Sequence, residues 1–158
     1  MPIAELNIAR LRHPLDDPRS ADFANNLERI NALAERSPGF MWRLKDDAGD
    51  ATGIRVDDDP LLLINVSVWE SAEALERFVF HTVHQRFYAR RREWFDAMDS
   101  AHVVMWRVAE GAHPSAAEAM ARLERYRREG ASEHAFGWEQ LIGVERLAAA
   151  RRAMAHAS

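Results

Sequence analysis

The stretch Leu61 to Trp69, LLLINVSVW, constrains this chain more than any other. Read with a period of two, Leu62, Ile64, Val66 and Val68 fall on one side, all apolar and mostly β-branched, as on a buried strand face. Leu61, Leu63, Asn65, Ser67 and Trp69 fall on the other. Leucines and a tryptophan do not suit a solvent face, and Asn65 and Ser67 do not suit a dry core. The strand is therefore expected inside a sheet covered on both sides, with a ligand or a partner chain over the mixed face.

The next segment, Ser71 to Phe95 (SAEALERFVFHTVHQRFYARRREWF), has helical spacing. Ser71 suits the N-cap, and Glu73 suits the first turn, where backbone N–H groups favour an acid. Leu75, Phe78, Val79 and Thr82 form one stripe. After them the apolar stripe moves to Val83, Phe87, Trp94 and Met98, which predicts a break near Phe80–Thr82. Phe80, His84, Tyr88 and Phe95 make an adjacent stripe, and Arg90–Arg92 reads as a solvated face. His81 and His84 sit beside the break.

Earlier in the chain, Ile3 to Arg12 alternates as a strand, with Ala4, Leu6 and Ile8 opposed to Glu5, Asn7 and Ala9. Ala21 to Arg36 places Phe23, Leu27, Ile30, Leu33 and Ala34 on one helical face, with Ser20 or Asp17 as cap and Ser37-Pro38-Gly39 as stop. Phe40 to Asp46 reads as a strand, with Phe40, Trp42 and Leu44 sharing a side. The aspartate-rich connection from Asp46 to Pro60 lacks the ligand spacing of a calcium loop and reads as solvated. His102 to Val108 alternates again as a strand. Pro114 to Arg128 is helical, with Gly130 as its stop, and Ala135 to Ala157 reads as a helical tail.

Composition excludes several chemistries. With 47% apolar and 29% charged residues the chain is an ordinary globular sequence, and its length suits one domain over 1–158, with a core of about 3–130 and a helical extension of about 131–158. The net charge of −4 argues against nucleic-acid or membrane-surface partners. There is no cysteine, so thiolate nucleophiles, disulfides and thiolate metal sites are absent. No apolar run is long enough to span a membrane and no leader pattern opens the chain, so a cytoplasmic location is expected. No phosphate-cradling glycine loop and no nucleophile-elbow serine is present.

The element order is β-α-β-β-α-β followed by helices, the order of an α+β ferredoxin-like fold with a four-stranded antiparallel sheet and both helices on one face. Asn7, Trp42, Asn65, Ser67, Trp69, His102 and Trp106 make too mixed a set for a plain core. A second copy packed sheet against sheet, as a homodimer, would bury them.

That order, the SPGF turn at Ser37–Phe40, and the strand ending VSVWES (Val66–Ser71) that opens a histidine-bearing helix all resemble the dimeric α+β barrel superfamily, whose best-known members are the antibiotic biosynthesis monooxygenases. Residues 3–130 resemble, within it, the bacterial domain-of-unknown-function family 3291. The resemblance implies a small-molecule pocket between the sheet and the helix that follows the Leu61–Trp69 strand. It also implies chemistry ranging from cofactor-free oxygenation to haem degradation and plain ligand binding. The haem-degrading members use a strand asparagine, a helix tryptophan and a helix histidine. Asn7 and His84 match the first and third of these, and Phe78 stands at the second.

Within that frame the first expectation is a monooxygenase-like enzyme without cofactor, acting on an aromatic or enolisable small molecule. His84 is the base, with His81 beside it, and Asn7 helps stabilise an oxyanion. Trp42, Arg43, Asn65, Trp69, Phe78, Phe87, Tyr88 and Trp106 are the expected substrate-binding residues. The alternatives are a non-catalytic dimeric ligand-binding protein and a haem protein with His84 as axial ligand. No other metal site is expected.

Overall fold

The computed structural model describes residues 1–46, 52, 54 and 59–141. Most of the aspartate-rich connection and the tail after Leu141 lie outside the described residues. The elements run β1 (Ile3–Arg10), α1 (Ala21–Arg36), β2 (Phe40–Arg43), β3 (Leu62–Trp69), α2 (Ala72–His81), α3 (His84–Ala89), α4 (Arg91–Trp94), β4 (Val103–Arg107), α5 (Ala116–Glu129) and α6 (Trp138–Leu141). The strands form one antiparallel sheet in the order β2-β3-β1-β4. This is the ferredoxin-like arrangement: β1 and β3 occupy the centre, and each is covered where a lone strand would be exposed.

Pairing assigns each side chain to a face, because residues directly opposite in antiparallel strands point the same way. Ala4 lies opposite Val68 and Trp106, Leu6 opposite Val66 and Val104, and Ile8 opposite Ile64. All are buried, and the fully buried Ala119 and Leu123 of α5 close over them. The other face carries Ile3, Glu5 and Asn7 opposite Trp69, Ser67 and Asn65. Ala34 of α1 and Ala74, Leu75 and Phe78 of α2 cover its Ile3–Trp69 end, joined by Met105 and Phe136.

Four expectations are corrected. The mixed residues do not share a face: Trp42 and Trp106 lie on the α5 side, whereas Asn7, Asn65, Ser67 and Trp69 lie on the side that α1 and α2 cover at its Trp69 end. The Trp69 end of the mixed face of β3, expected to meet a ligand or a second copy, is thus covered by the chain's own helices, and α5 closes the apolar face. Within β2, Phe40 pairs with Trp69 and Trp42 with Val68, the register shifting between them. That bulge turns Phe40 and Trp42 to opposite sides. Pro114 is not in the first turn of α5. Ser115 caps that helix, its Oγ accepting from Glu118 N at 3.1 Å.

The expected break after α2 is present and has a clear cause. Thr82 is extended, its Oγ1 donates to Phe78 O at 2.7 Å, and the same oxygen accepts from His84 N at 3.2 Å. One threonine thus satisfies the last carbonyls of α2 and the first amide of α3. At the other end of α2, Ser71 Oγ accepts from Ala74 N at 3.2 Å, as the sequence predicts.

Candidate functional site

Glu5 is the only acidic residue among the buried side chains of the described chain, at 6% exposure, and it lies mid-strand in the centre of the sheet. Asn7 Nδ2 donates to its Oε1 at 2.9 Å. Trp69 Nε1 donates to Ser67 Oγ at 2.9 Å, which leaves the serine's own hydrogen for Glu5 Oε2, at 3.4 Å. Both donors favour the carboxylate, but burial opposes it more strongly and raises the Glu5 pKa to about 7 from the ordinary 4.5. Among the described residues no cation bonds to it. In the ladder Arg43 lies opposite Ser67, and its Nε donates to Glu35 of α1 at 2.8 Å, while Arg107 of β4, opposite Ile3 on the same face, places its guanidinium 6.0 Å from the centre of the Phe136 ring.

Next to Glu5 the face opens. Asn7 is half-buried and its cross-strand partner Asn65 is exposed, although both belong to central strands and to the helix-covered side. The helical cover therefore stops short of this pair. In α1 only Ala34 is fully buried, and in α3 no residue is. Two side-chain amides consequently form an accessible polar floor, and along the strand Glu5 lies two residues, about 7 Å, from Asn7.

His84 approaches the same side through a series of rings. It lies 4.9 Å from Phe78, which stacks on Trp69 at 5.2 Å, and Trp69 is bonded to Ser67. Its Nδ1 is 3.1 Å from Val79 O. A carbonyl can only accept, so Nδ1 carries the hydrogen of the neutral ring and Nε2 holds the lone pair. Burial lowers the pKa from the ordinary 6.5, against the opposing pull of the Val79 carbonyl. Neutral at pH 7, His84 is suited to accept a proton.

The other sequence-derived residues separate. Phe78 and Trp69 are buried and serve as packing behind the site, with Phe40 edge-on to Trp69 at 5.4 Å. Phe87 is half-buried and stacks on Trp94 at 6.0 Å, in an aromatic group that also holds Phe23 and Phe95. Arg43 shares the face but is bonded to Glu35. Four residues are not brought together with the rest. Trp42 stacks on His113 at 4.8 Å on the far side of the sheet. Trp106 is buried there beneath Arg122. Tyr88 is 42% exposed, with the Arg91 guanidinium over its ring at 4.3 Å. His81 lies exposed in an open depression of about 640 Å³ with Arg29, Phe80 and Arg86, while His84 does not line it. His84 lines neither this depression nor the one formed by Met1, Arg107, Arg122, Glu133 and His134. No group of three or more metal-ligating side chains occurs among the described residues.

Sequence reasoning does not single out Glu5, because alternation alone places it on the more polar side of β1. The available signal is an acid flanked by Ala4, Leu6 and Ile8 in a strand that must be central, opposite another strand's polar pair.

Among solved structures the chain is similar to SnoaB, a cofactor-independent oxygenase from Streptomyces nogalater, at 16% identity over 69% of this chain and 94% of that one, with a TM-score of 0.49. It is also similar to a conserved protein from Methanosarcina mazei Go1, at 11% identity over the same shares, 69% and 94%, with a TM-score of 0.49. No curated protein matches the sequence. No helix among the described residues is long and apolar enough to cross a membrane. The family described as Domain of unknown function (DUF3291) matches residues 2–152, and the chain belongs to that family.

Proposed function

We propose that the protein is a monooxygenase-like enzyme for an aromatic, enolisable small molecule, working without a bound cofactor and as a homodimer. One observation carries this reading: Asn65 is exposed on a central strand, on the helix-covered side, opposite Asn7 and close to a buried carboxyl. A ligand carbonyl seated on the two amides would be oriented for removal of a proton from the adjacent carbon. His84 Nε2 is the proposed base. The C–H bond breaks, the proton goes to the imidazole, and the electron pair stays on the ligand as an enolate held by amide donors. The enolate supplies the electrons itself: dioxygen adds at its carbon as a peroxide, which takes up the proton held by His84 and loses water with the remaining C–H hydrogen, leaving a second carbonyl, while the half-buried apolar residues of α1 and α3 limit the access of bulk water.

The test is oxygen uptake with an enolisable benzo-fused ketone such as 2-tetralone, whose acidic carbon lies between the ring and the carbonyl. His84→Ala is expected to lower the rate by roughly a hundredfold while the circular dichroism spectrum is retained. Full uptake by this variant would remove His84 from the mechanism. For the assembly, light scattering should return twice the chain's mass, and the mass of a single chain at micromolar concentration would discard the homodimer.

A further inference from the structure

We propose that Glu5 is the general acid of this opening, delivering its carboxyl proton to the carbonyl oxygen of a ketone held on Asn7 and Asn65. The inference rests on the enolising reading above and adds to it a group that shares a proton with the carbonyl oxygen: the neutral enol it forms returns that proton to the Glu5 carboxylate to give the enolate that meets dioxygen. As a base removes the proton from the carbon beside the carbonyl, the C–H electron pair forms the C=C bond and the carbonyl π pair moves onto oxygen. The Glu5 O–H bond breaks as the new O–H bond forms. The products are a neutral enol, a carboxylate at Glu5 and one proton on the base, and solvent reaching the exposed Asn65 side restores both groups.

The hydrogen bonds around Glu5 fit this role better than a purely structural one. Trp69 can only donate, so it fixes the Ser67 oxygen as an acceptor and turns the serine hydrogen toward Oε2. Asn7 points its Nδ2 at Oε1. Two donors are thus placed in advance for the ionised carboxyl that exists after transfer, while burial at 6% exposure favours the protonated form that exists before it. Arg43 and Glu35, bonded to each other, the neutral His84, and Arg107, opposite Ile3 with its guanidinium over the Phe136 ring, bring charged or titratable groups to this face from β2, α1, α3 and β4. None of them bonds to Glu5, so neither of its states is locked by an ion pair. The raised pKa of Glu5 and the lowered pKa of His84 give an acid and a base of opposite protonation at neutral pH.

The experiment follows deuterium exchange at the acidic carbon of 2-tetralone in D2O by proton NMR, which needs no oxidant. Wild type is expected to accelerate exchange, with a rate that falls as pH rises through about 7 and Glu5 ionises. Glu5→Gln should slow it roughly a hundredfold and lose that pH limb. Glu5→Asp, which keeps the acid one methylene further back, should be slow yet retain the limb. If Glu5→Gln exchanges as fast as wild type while His84→Ala is slow, Glu5 is structural and the inference fails, with the enolising reading intact. If wild type gives no acceleration, that reading fails and the Glu5 assignment falls with it.

Discussion

Glu5→Gln is expected to stabilise the protein by about 3 kcal/mol at pH 8 and to change little at pH 4. The carboxyl titrates near 7 when folded and near the ordinary 4.5 when unfolded, so the folded state binds the proton more tightly. Wild-type stability is therefore complete below pH 4.5, falls as pH rises toward 7, and levels off above it. Glutamine does not titrate, can still accept from Asn7, and can donate to the Ser67 oxygen, so it avoids that loss. Denaturant unfolding of both proteins from pH 4 to 8 measures the difference. Parallel stability curves would show that Glu5 is not held neutral by its surroundings. A stabilising substitution at the proposed acid also fits the cost that functional sites commonly impose on folding.

A second large effect is expected at Gly39. Ser37-Pro38-Gly39-Phe40 forms a type II turn: Phe40 N donates to Ser37 O at 3.1 Å, proline holds the second position, and Gly39 has φ +87°. A Cβ there would collide with the Cβ of Ala74 in the first turn of α2, while Gly39 O must still accept from Glu70 N at 2.7 Å. Gly39→Ala should cost on the order of 3 kcal/mol, combining backbone strain with the collision. Gly111→Ala has a similar φ, +80°, at the third position of a turn closed by Ala112 N donating to Ala109 O at 3.2 Å, but meets nothing within 4 Å, so it isolates the backbone share, about 1 kcal/mol. Adding Ala74→Gly to Gly39→Ala should recover the difference. Equal losses at Gly39 and Gly111 would mean that the contact with α2 is unimportant. SPGF therefore marks the fold for a mechanical reason: its turn lies against the helix that VWES begins.

Much of the architecture was legible because local rules suffice for it. The β3 alternation, the Ser71 cap, the helix over Ala21–Arg36 and the break at Thr82 each depend on residues within a few positions of one another. The site was legible only in part. Asn7 and Asn65 share one side of the sheet, which His84 approaches, whereas Trp42, Trp106, Tyr88 and His81 are elsewhere. A one-residue bulge in β2 moved Trp42, and pairing with Ala4 put Trp106 under α5, neither of which a period-two reading of a single strand can register.

By itself, the sequence determined the order of strands and helices, the two faces of β3, and the exclusion of cysteine and phosphate-loop chemistry, because periodicity, capping and residue inventory are local properties. Only the tertiary structure decided what covers each face: α5 over the apolar one, α1 and α2 over the mixed one. It also decided that Glu5, Asn7, Asn65 and Ser67 form one patch. Strand pairing brings Glu5 beside a serine 62 positions away and the helices exclude water from it, and this loss of hydration, invisible in the chain itself, turns an ordinary carboxylate into a group that titrates near pH 7.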